Sequence, residues 1–171
     1  MKATALSDSL NQSKLHFIDI DGVRTRYYED GAGTPLLLLH GGEYGSMYSL
    51  DSWSLNLPAL AQRFHVYALD KLGQGFTDGP RNKDYTFEAL LAHTLAFMQK
   101  VGFSRGCIAG HSRGGFLATC IAMEQPELVE KLIIVDSATA SPDQPNFDSG
   151  AFYRSLGVTG IRPPVDEPVT E

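Results

Sequence analysis

The sequence predicts an α/β fold, a mostly parallel sheet with helices on both faces, and two observations support this prediction. Short apolar runs of the kind that a parallel sheet buries on both faces recur at residues 36–39, 66–69, 107–109 and 132–135. Between the second and third runs, apolar residues recur at spacings of three and four, as on the buried side of a helix. Strands that alternate with helices imply right-handed βαβ crossovers and hence parallel strands.

Two further β-prone runs precede these strands, at residues 15–20 and 23–29. They are separated by Asp21 and Gly22, a dipeptide that accommodates the positive φ angles of a tight hairpin turn. We therefore expect the sheet to begin with an antiparallel pair of strands.

The helical pattern begins after Thr86 and ends before Gly102. Thr86 is a suitable N-cap, Glu88 lies in the first turn, where the helix dipole favours an acid, and Gly102 can adopt the left-handed conformation that ends a helix. A second helix is predicted from residue 114 or 115 to about residue 124, because Pro126 stops it.

Length and composition indicate one globular domain. Its 171 residues are 43% hydrophobic and 20% charged, as in soluble domains and unlike disordered chains. We predict a flexible amino terminus over residues 1–14, a core over residues 15–137, and a proline-rich, loop-rich segment over residues 138–171.

Charge and hydropathy exclude several classes of partner. The net charge is −6 and the basic residues are scattered, which disfavours nucleic acid. The amino terminus has no signal-peptide pattern, and no apolar run approaches the ~20 residues of a membrane helix. Cys107 and Cys120 lie in apolar segments, as buried reduced thiols do, so a cytoplasmic protein without membrane contact is expected.

Ser112 is the predicted nucleophile. It lies in the pattern G-x-S-x-G at residues 110–114, directly after a predicted strand and before a predicted helix. In this strand–turn–helix setting the flanking glycines allow a strained turn that exposes the serine Oγ at the carboxyl edge of the sheet. The helix amino terminus then faces the developing negative charge. The alternative is an ordinary serine in a glycine-rich turn.

A second loop, His40-Gly41-Gly42, follows the leucine-rich strand at its carboxyl end, where α/β sheets bind ligands. We expect the backbone amides of Gly42 and Arg113 to form an oxyanion hole, and Gly41 to contact the substrate. His40 lies in the loop that supplies these amides, so we interpret it as structural rather than as a catalytic base. A glycine-rich turn at residues 70–77 follows the next strand and is expected to shape the site.

The segments 36–42, 70–77, 110–115 and 132–137, in this order, resemble the α/β-hydrolase fold superfamily, in its serine-nucleophile branch. The resemblance is greatest to carbon–carbon bond hydrolases that cleave meta-ring-fission products and to small-molecule esterases. Those carbon–carbon hydrolases usually have Asn before and Met after the nucleophile, whereas this chain has His111 and Arg113. Serine at the elbow argues against the related dehalogenases and epoxide hydrolases, which use Asp.

The resemblance implies a catalytic triad in the order Ser, Asp or Glu, His, but no histidine follows His111. Asp136 ends a predicted strand and is interpreted as structural. The resemblance therefore implies a truncated chain, in which residues 138–171 begin a lid and the carboxyl-terminal strands and most of the lid are absent. Such a chain is expected to be nearly inactive and to self-associate through an uncovered sheet edge.

The functional prediction is a hydrolase that acts on a small-molecule ester or carbon–carbon bond through Ser112, without cofactor or metal. The sequence leaves the choice between ester and carbon–carbon bond open. The alternative from a different class is a non-catalytic fold relative that binds a small molecule or a partner chain, or an inactive fragment.

Overall fold

The computed structural model describes residues 10–137. The strands of this part are β1 Leu15–Ile20, β2 Val23–Asp30, β3 Pro35–Leu39, β4 His65–Leu69, β5 Gly106–His111 and β6 Val129–Val135. The α-helices are α1 Leu57–Leu60, α2 Phe87–Lys100 and α3 Arg113–Glu124. Single 3-10 turns occupy Gln12–Lys14, Leu50–Trp53 and Pro126–Leu128. The predicted lid at residues 138–171 lies outside the described residues.

The strands form one mixed sheet in the order β1-β2-β4-β3-β5-β6. Strands β3 to β6 are parallel to one another, whereas β1 and β2 form an antiparallel hairpin whose second strand pairs antiparallel with β4. The hairpin turn has positive φ at Asp21 (51°) and Gly22 (82°), as the sequence predicts. The predicted mostly parallel α/β sheet is therefore confirmed.

The two faces of the sheet are covered differently. Alternate side chains of β3 point to opposite faces, with Leu37 and Leu39 on one side and Leu36 and Leu38 on the other. Both long helices, α2 and α3, pack on the first face, whereas the described residues cover the second face with α1 and the Leu50–Trp53 turn. Along the sheet, β4 lies on one side of β3, whereas β5 and β6 lie on the other side. Right-handed crossovers therefore place the helix between β3 and β4 on one face and the helices before β5 and β6 on the opposite face.

The ends of α2 agree with the sequence prediction. Thr86 Oγ1 accepts a hydrogen bond from Ala89 N at 3.2 Å, which satisfies one free amide of the first turn. Gly102 has φ +72° directly after the helix. Helix α1 was not predicted, because its four residues are too few to show a helical period. At the amino terminus, Leu10 is buried in the core, so packed structure begins five residues before the predicted boundary at residue 15.

Strand β6 is the edge strand of the described sheet. It begins three residues earlier than predicted, at Val129, where the Pro126–Leu128 turn leads into it. Its apolar side chains from Leu132 to Val135 are exposed. Self-association through this edge stays a prediction. No helix among residues 10–137 is long and apolar enough to cross a membrane.

Candidate functional site

The candidate site lies where β3, β4 and β5 end at the same edge of the sheet. Strand β3 lies between β4 and β5, so the chain passes from β3 to β4 on one side and then crosses to β5 on the other side. The carboxyl edge at such a topological switch point is where α/β sheets form a ligand crevice. His40, Asp70 and Ser112 follow these three strands, so the three sequence-predicted loops meet at this edge.

Ser112 joins β5 to α3 in a strained conformation. Its φ is 52° and its ψ is −123°, an arrangement that a residue with a side chain seldom adopts. Hydrogen bonds hold both ends of the residue: Ser112 N donates to Val135 O at 3.0 Å, and Ser112 O accepts from Gly115 N at 2.8 Å. The Ser137 hydroxyl also donates to Ser112 O at 2.6 Å. The surrounding fold thus stabilises the strained turn.

Glycines at both flanks of Ser112 allow this turn to pack. A β-carbon at Gly110 would lie within 2.5 Å of the amide nitrogen of Gly115. A β-carbon at Gly114 would lie within 2.5 Å of the carbonyl oxygen of His40, on the neighbouring loop. Both distances are shorter than any contact a real side chain makes, so the G-x-S-x-G pattern is a packing requirement of this turn.

The His40-Gly41-Gly42 loop lies directly against Ser112. A β-carbon at Gly41 would lie 3.1 Å from the Ser112 Cβ and 2.9 Å from His111 Nδ1. Gly42 has φ +79°, and a β-carbon there would collide with the Tyr48 side chain at 2.8 Å. The structure therefore brings together the four residues predicted from the sequence, Ser112, Gly41, Gly42 and Arg113, the last of which begins α3.

His40 is buried and both of its ring nitrogens are engaged. Nε2 accepts a hydrogen bond from Lys71 N at 3.2 Å, so the neutral ring carries its proton on Nδ1 and donates to Gly41 O at 2.7 Å. Burial, together with the positive charge of Lys71, lowers the pKa of His40 to about 3. A neutral histidine held in this way orients the loop and has no nitrogen free to accept a proton, in keeping with the structural interpretation.

Asp70 organises the glycine-rich turn that follows β4. Its buried carboxylate accepts hydrogen bonds from Arg26 Nε at 2.7 Å, Leu50 N at 2.7 Å and Phe76 N at 2.8 Å. Burial raises the pKa of Asp70, and the neighbouring guanidinium of Arg26 opposes that shift. Thr77 Oγ1 closes the turn by donating to Asp70 O at 2.8 Å. These contacts give the turn at residues 70–77 a shaping role.

Lys71 belongs to the site although no pattern in the sequence indicates it. Its side chain is 0% exposed, and Nζ donates to Gly42 O at 2.9 Å. Burial and the nearby Arg113 lower the pKa of Lys71 to about 7, against the opposing effect of the Glu43 carboxylate. No sequence signal distinguishes this lysine from a surface lysine at the end of a strand, because its burial depends on the loop after β3.

A cavity of about 230 Å³ opens beside these residues. Lys71 and Arg113 line it together with three aromatic side chains, Tyr44, Tyr85 and Phe87. The Tyr44 and Tyr85 rings pack edge to face, with centroids 4.9 Å apart. Arg113 forms an ion pair with Glu43 at the cavity wall. A larger cavity of about 360 Å³ lies beside the β1–β2 turn and shares no lining residue with this site.

The remaining histidines of the described part lie in other settings. His65 pairs with Glu29 at 2.8 Å, His93 contacts Thr25 Oγ1 at 3.0 Å, and His16 packs against the ring of Tyr27. Asp136 follows β6 in an exposed position, with φ 46°. Within residues 10–137, no cluster of His, Cys, Asp or Glu side chains could hold a metal ion.

Comparison with known proteins agrees with this architecture. The family model for the α/β hydrolase fold matches residues 34–155. The chain is 34% identical to 2-hydroxy-6-oxo-6-(2'-aminophenyl)hexa-2,4-dienoic acid hydrolase of Metapseudomonas resinovorans, over 80% of this chain and 47% of that protein. It is 32% identical to 2-hydroxymuconate semialdehyde hydrolase of Pseudomonas sp. (strain CF600), over 70% of this chain and 42% of that protein.

Solved structures give the same result. A meta-cleavage product hydrolase from Pseudomonas fluorescens IP01 matches with a TM-score of 0.63 and 34% identity, over 70% of this chain and 43% of that chain. The chain thus spans about half the length of the curated relatives that it matches. The matched segment contains the strained serine turn and the adjoining glycine loop, and we conclude that the chain belongs to the α/β-hydrolase fold family.

Proposed function

We propose that this protein is a hydrolase of small molecules in which Ser112 is the nucleophile. One observation carries the proposal: Ser112 is held at φ 52° between β5 and α3, with the backbone of Gly41 against its side chain. Backbone strain of this kind costs about 1–3 kcal/mol and persists where the surrounding structure imposes it. The strain would present the hydroxyl at the carboxyl edge of the sheet, next to the backbone of the His40-Gly41-Gly42 loop.

The proposed chemistry is attack by Ser112 Oγ on a substrate carbonyl carbon. The Oγ–C bond forms while the serine proton passes to a general base, and the carbonyl oxygen becomes an oxyanion. The amides of Gly42 and Arg113 would donate hydrogen bonds to this oxygen, and the amino terminus of α3 adds a favourable dipole. Gly41, which has no side chain, would let the substrate approach the loop backbone.

The general base is the part of the mechanism that the described residues do not supply. Within residues 10–137, no histidine donates to or accepts from the Ser112 hydroxyl. His40 has both nitrogens engaged and a pKa of about 3, which leaves it unable to serve at neutral pH. In the hydrolases that this chain resembles the base is a histidine that follows the nucleophile along the chain, and no histidine lies among residues 112–171.

The substrate class follows from the relatives and the cavity. The relatives act on 2-hydroxymuconate semialdehyde and on a 2-hydroxy-6-oxo-dienoic acid. The aromatic side chains of Tyr44, Tyr85 and Phe87 would suit a flat, conjugated carbonyl compound. Esters of small acids offer the same reacting carbonyl, so the proposal includes both carbon–carbon and ester bonds. No cofactor or metal enters the proposed reaction.

A fluorophosphonate probe tests the proposal directly. Mass spectrometry should find the phosphonyl group on Ser112 in the wild-type chain and nowhere in Ser112→Ala. Ser104→Ala, in an exposed loop away from the site, is the matched control and should be labelled like the wild type. Without a base the labelling is expected to be slow, since sites that lack a triad member retain roughly 10³–10⁴-fold catalysis over water. Equal labelling of Ser112→Ala would refute the assignment.

The second candidate is a fold relative that binds a ligand without turnover. Thermal stabilisation by a 2-hydroxy-6-oxo-dienoic acid, with no loss of its ultraviolet absorbance and no hydrolysis of 4-nitrophenyl acetate, would favour this candidate. Loss of absorbance that depends on Ser112 would exclude it. Comparing the two substrates also separates carbon–carbon cleavage from ester cleavage.

Two subsidiary proposals concern the setting of the protein. A cytoplasmic location is supported by the free thiols of Cys107 and Cys120. Self-association is supported by the exposed apolar side chains of β6, from Leu132 to Val135, on an edge strand of the described sheet. Sedimentation velocity at two protein concentrations tests it, and a single monomer boundary at both would contradict it.

A further inference from the structure

Two adjacent glycines form the loop beside Ser112, with Gly41 against its side chain, and an oxyanion hole built on them needs a restraint on their conformation. Gly41 and Gly42 have no side chain to restrict φ and ψ, so the peptides around them rotate more easily than those of any other residue pair. An oxyanion hole requires the opposite property, because its amides must already point at the developing charge. The orientation of this loop must therefore be imposed from outside it.

The peptide before Gly42 is held by His40. A trans peptide is planar, and its carbonyl and the following amide point in opposite directions. The His40 Nδ1 proton is donated to Gly41 O at 2.7 Å, and the Gly42 amide consequently points away from the imidazole. His40 is itself fixed by the Lys71 backbone amide, which donates to its Nε2 at 3.2 Å.

The peptide after Gly42 is held by the side chain of Lys71. Nζ donates to Gly42 O at 2.9 Å, which by the same planarity fixes the direction of the Glu43 amide. Lys71 thus controls the peptides on both sides of Gly42. Its backbone amide holds the preceding peptide through His40, and its Nζ holds the following peptide directly. Gly42 has a φ of +79° between these two hydrogen-bonded peptides.

This arrangement is unfavourable for stability, which points to a role other than stability. The Lys71 side chain is 0% exposed, and the hydrogen bond that its Nζ donates within residues 10–137 goes to an uncharged carbonyl. Burial of an ammonium without a close counterion is costly, and a well-packed apolar side chain of similar size would avoid the cost. Glu43, the acid that favours its charge, is engaged in an ion pair with Arg113 instead.

We propose that Lys71 is a positioning residue for the oxyanion hole: its Nζ holds the Gly42 carbonyl and its backbone amide holds His40, and together they fix the peptides on both sides of Gly42, the proposed oxyanion donor. The inference rests on the proposed function, because the loop has this role only if Ser112 attacks a carbonyl and forms an oxyanion. It adds to that function a residue outside both motifs that supply the nucleophile and the oxyanion donors.

The first test does not depend on activity. In nitrogen-15 NMR spectra, Lys71→Met should broaden or split the amide signal of Glu43 and speed its hydrogen exchange, because the peptide between Gly42 and Glu43 is released. The Gly42 signal should change with it, because the ψ angle of Gly42 is then no longer held. Lys71→Gln keeps a donor without the charge and should show a smaller change. Lys100→Met, at the exposed end of α2, is the matched control and should leave both signals unchanged. Unchanged Gly42 and Glu43 signals in Lys71→Met would overturn the proposal.

The second test measures reactivity. Phosphonylation of Ser112 should be roughly tenfold to a hundredfold slower in Lys71→Met, with Lys71→Gln in between and the melting temperature no lower than that of the wild type. A Lys71→Met protein that folds and reacts at the wild-type rate would overturn the proposal. If Lys71→Met does not fold, Lys71→Gln decides by the same criteria. Absence of Ser112 labelling in the wild type would count against the proposed function, whereas the NMR signals would still decide whether Lys71 fixes the loop.

Discussion

The two loops that meet at Ser112 are held in place in different ways. The turn at residues 110–115 combines local contacts, such as the hydrogen bond from Gly115 N to Ser112 O, with hydrogen bonds to Val135 and Ser137 at the end of β6. The loop at residues 40–43 is fixed by Lys71, which is remote in sequence and buried beneath it. The difference shows that one half of the site is encoded partly by local contacts, whereas the other half depends on a residue remote in sequence. Four predictions probe this contrast, in order of decreasing effect.

The largest effect is expected where the two loops touch. Gly114→Ala would place a β-carbon within 2.5 Å of the His40 carbonyl oxygen, and neither backbone can move without disturbing β3 or α3. The free energy of unfolding should fall by about 3 kcal/mol in urea titrations. Gly102→Ala is the control, because that glycine also has positive φ but open space around it, and should cost about 1 kcal/mol. Similar losses for both variants would show that backbone conformation, not contact between the loops, is limiting.

The second prediction concerns the remotely held loop and pH. Burial lowers the pKa of His40 to about 3 in the folded protein, so the folded state stays neutral while the unfolded chain takes up a proton below about pH 6.5. The unfolded state then binds more protons, and stability falls as pH falls. Between pH 6.5 and pH 5 the His40 contribution should be about 2 kcal/mol, at ~1.4 kcal/mol per pH unit.

Comparison with His40→Gln isolates this contribution. His93, whose pKa burial lowers to about 4, adds a similar slope to both proteins and cancels in the difference. Urea titrations of wild type and His40→Gln at pH 6.5, 5.8 and 5.0 measure it. Parallel stability curves for the two proteins would mean that His40 is protonated in the folded loop.

The third prediction separates strain from chemistry in the locally held loop. Ser112→Gly should raise the free energy of unfolding by about 1 kcal/mol, because glycine tolerates φ 52° and ψ −123° without strain. Ser112→Ala retains the β-carbon and should leave stability close to that of the wild type. Chemical denaturation of the two variants in parallel measures the difference. A Gly variant no more stable than the Ala variant would indicate that the turn is relaxed.

The smallest effect is expected for the ion pair between Glu43 and Arg113, which joins the two loops at the surface. The side chains are 67% and 46% exposed, so water screens their attraction. A double-mutant cycle with Glu43→Gln and Arg113→Met should give a coupling of about 0.5 kcal/mol that disappears at high salt. A coupling above about 1.5 kcal/mol that resists salt would mean that the loops are joined here and not through Lys71.

The sequence reveals the local half of the structure well. The hairpin turn at Asp21 and Gly22 and the ends of α2 depend on residues within a few positions of one another, and the glycines on both sides of Ser112 indicate its strained turn. The periodic and glycine patterns report such short-range preferences directly. Gly41 lies against Ser112 because each residue follows a parallel strand, and parallel strands end at a common edge of the sheet.

The remote half could not be predicted in this way. The burial of Lys71, the ring contacts of His40 and the carboxylate network of Asp70 join segments tens of residues apart, and no period or dipeptide records them. The placement of both long helices on one face depends on strand order, which the pattern of apolar runs does not specify. Charged residues are normally read as exposed, and Lys71 departs from that expectation because the fold closes over it.

The packing of Gly114 on the carbonyl of His40 has a consequence for how the protein is made. These backbones meet only after β3 has paired with β5, since each lies at the end of one of those strands. An unfolded or newly synthesised chain has nothing to hold Ser112 at a positive φ, and its hydroxyl there is chemically ordinary. The strained geometry therefore arises only when the sheet is assembled, so any reactivity that it gives the serine would be absent until the fold is complete.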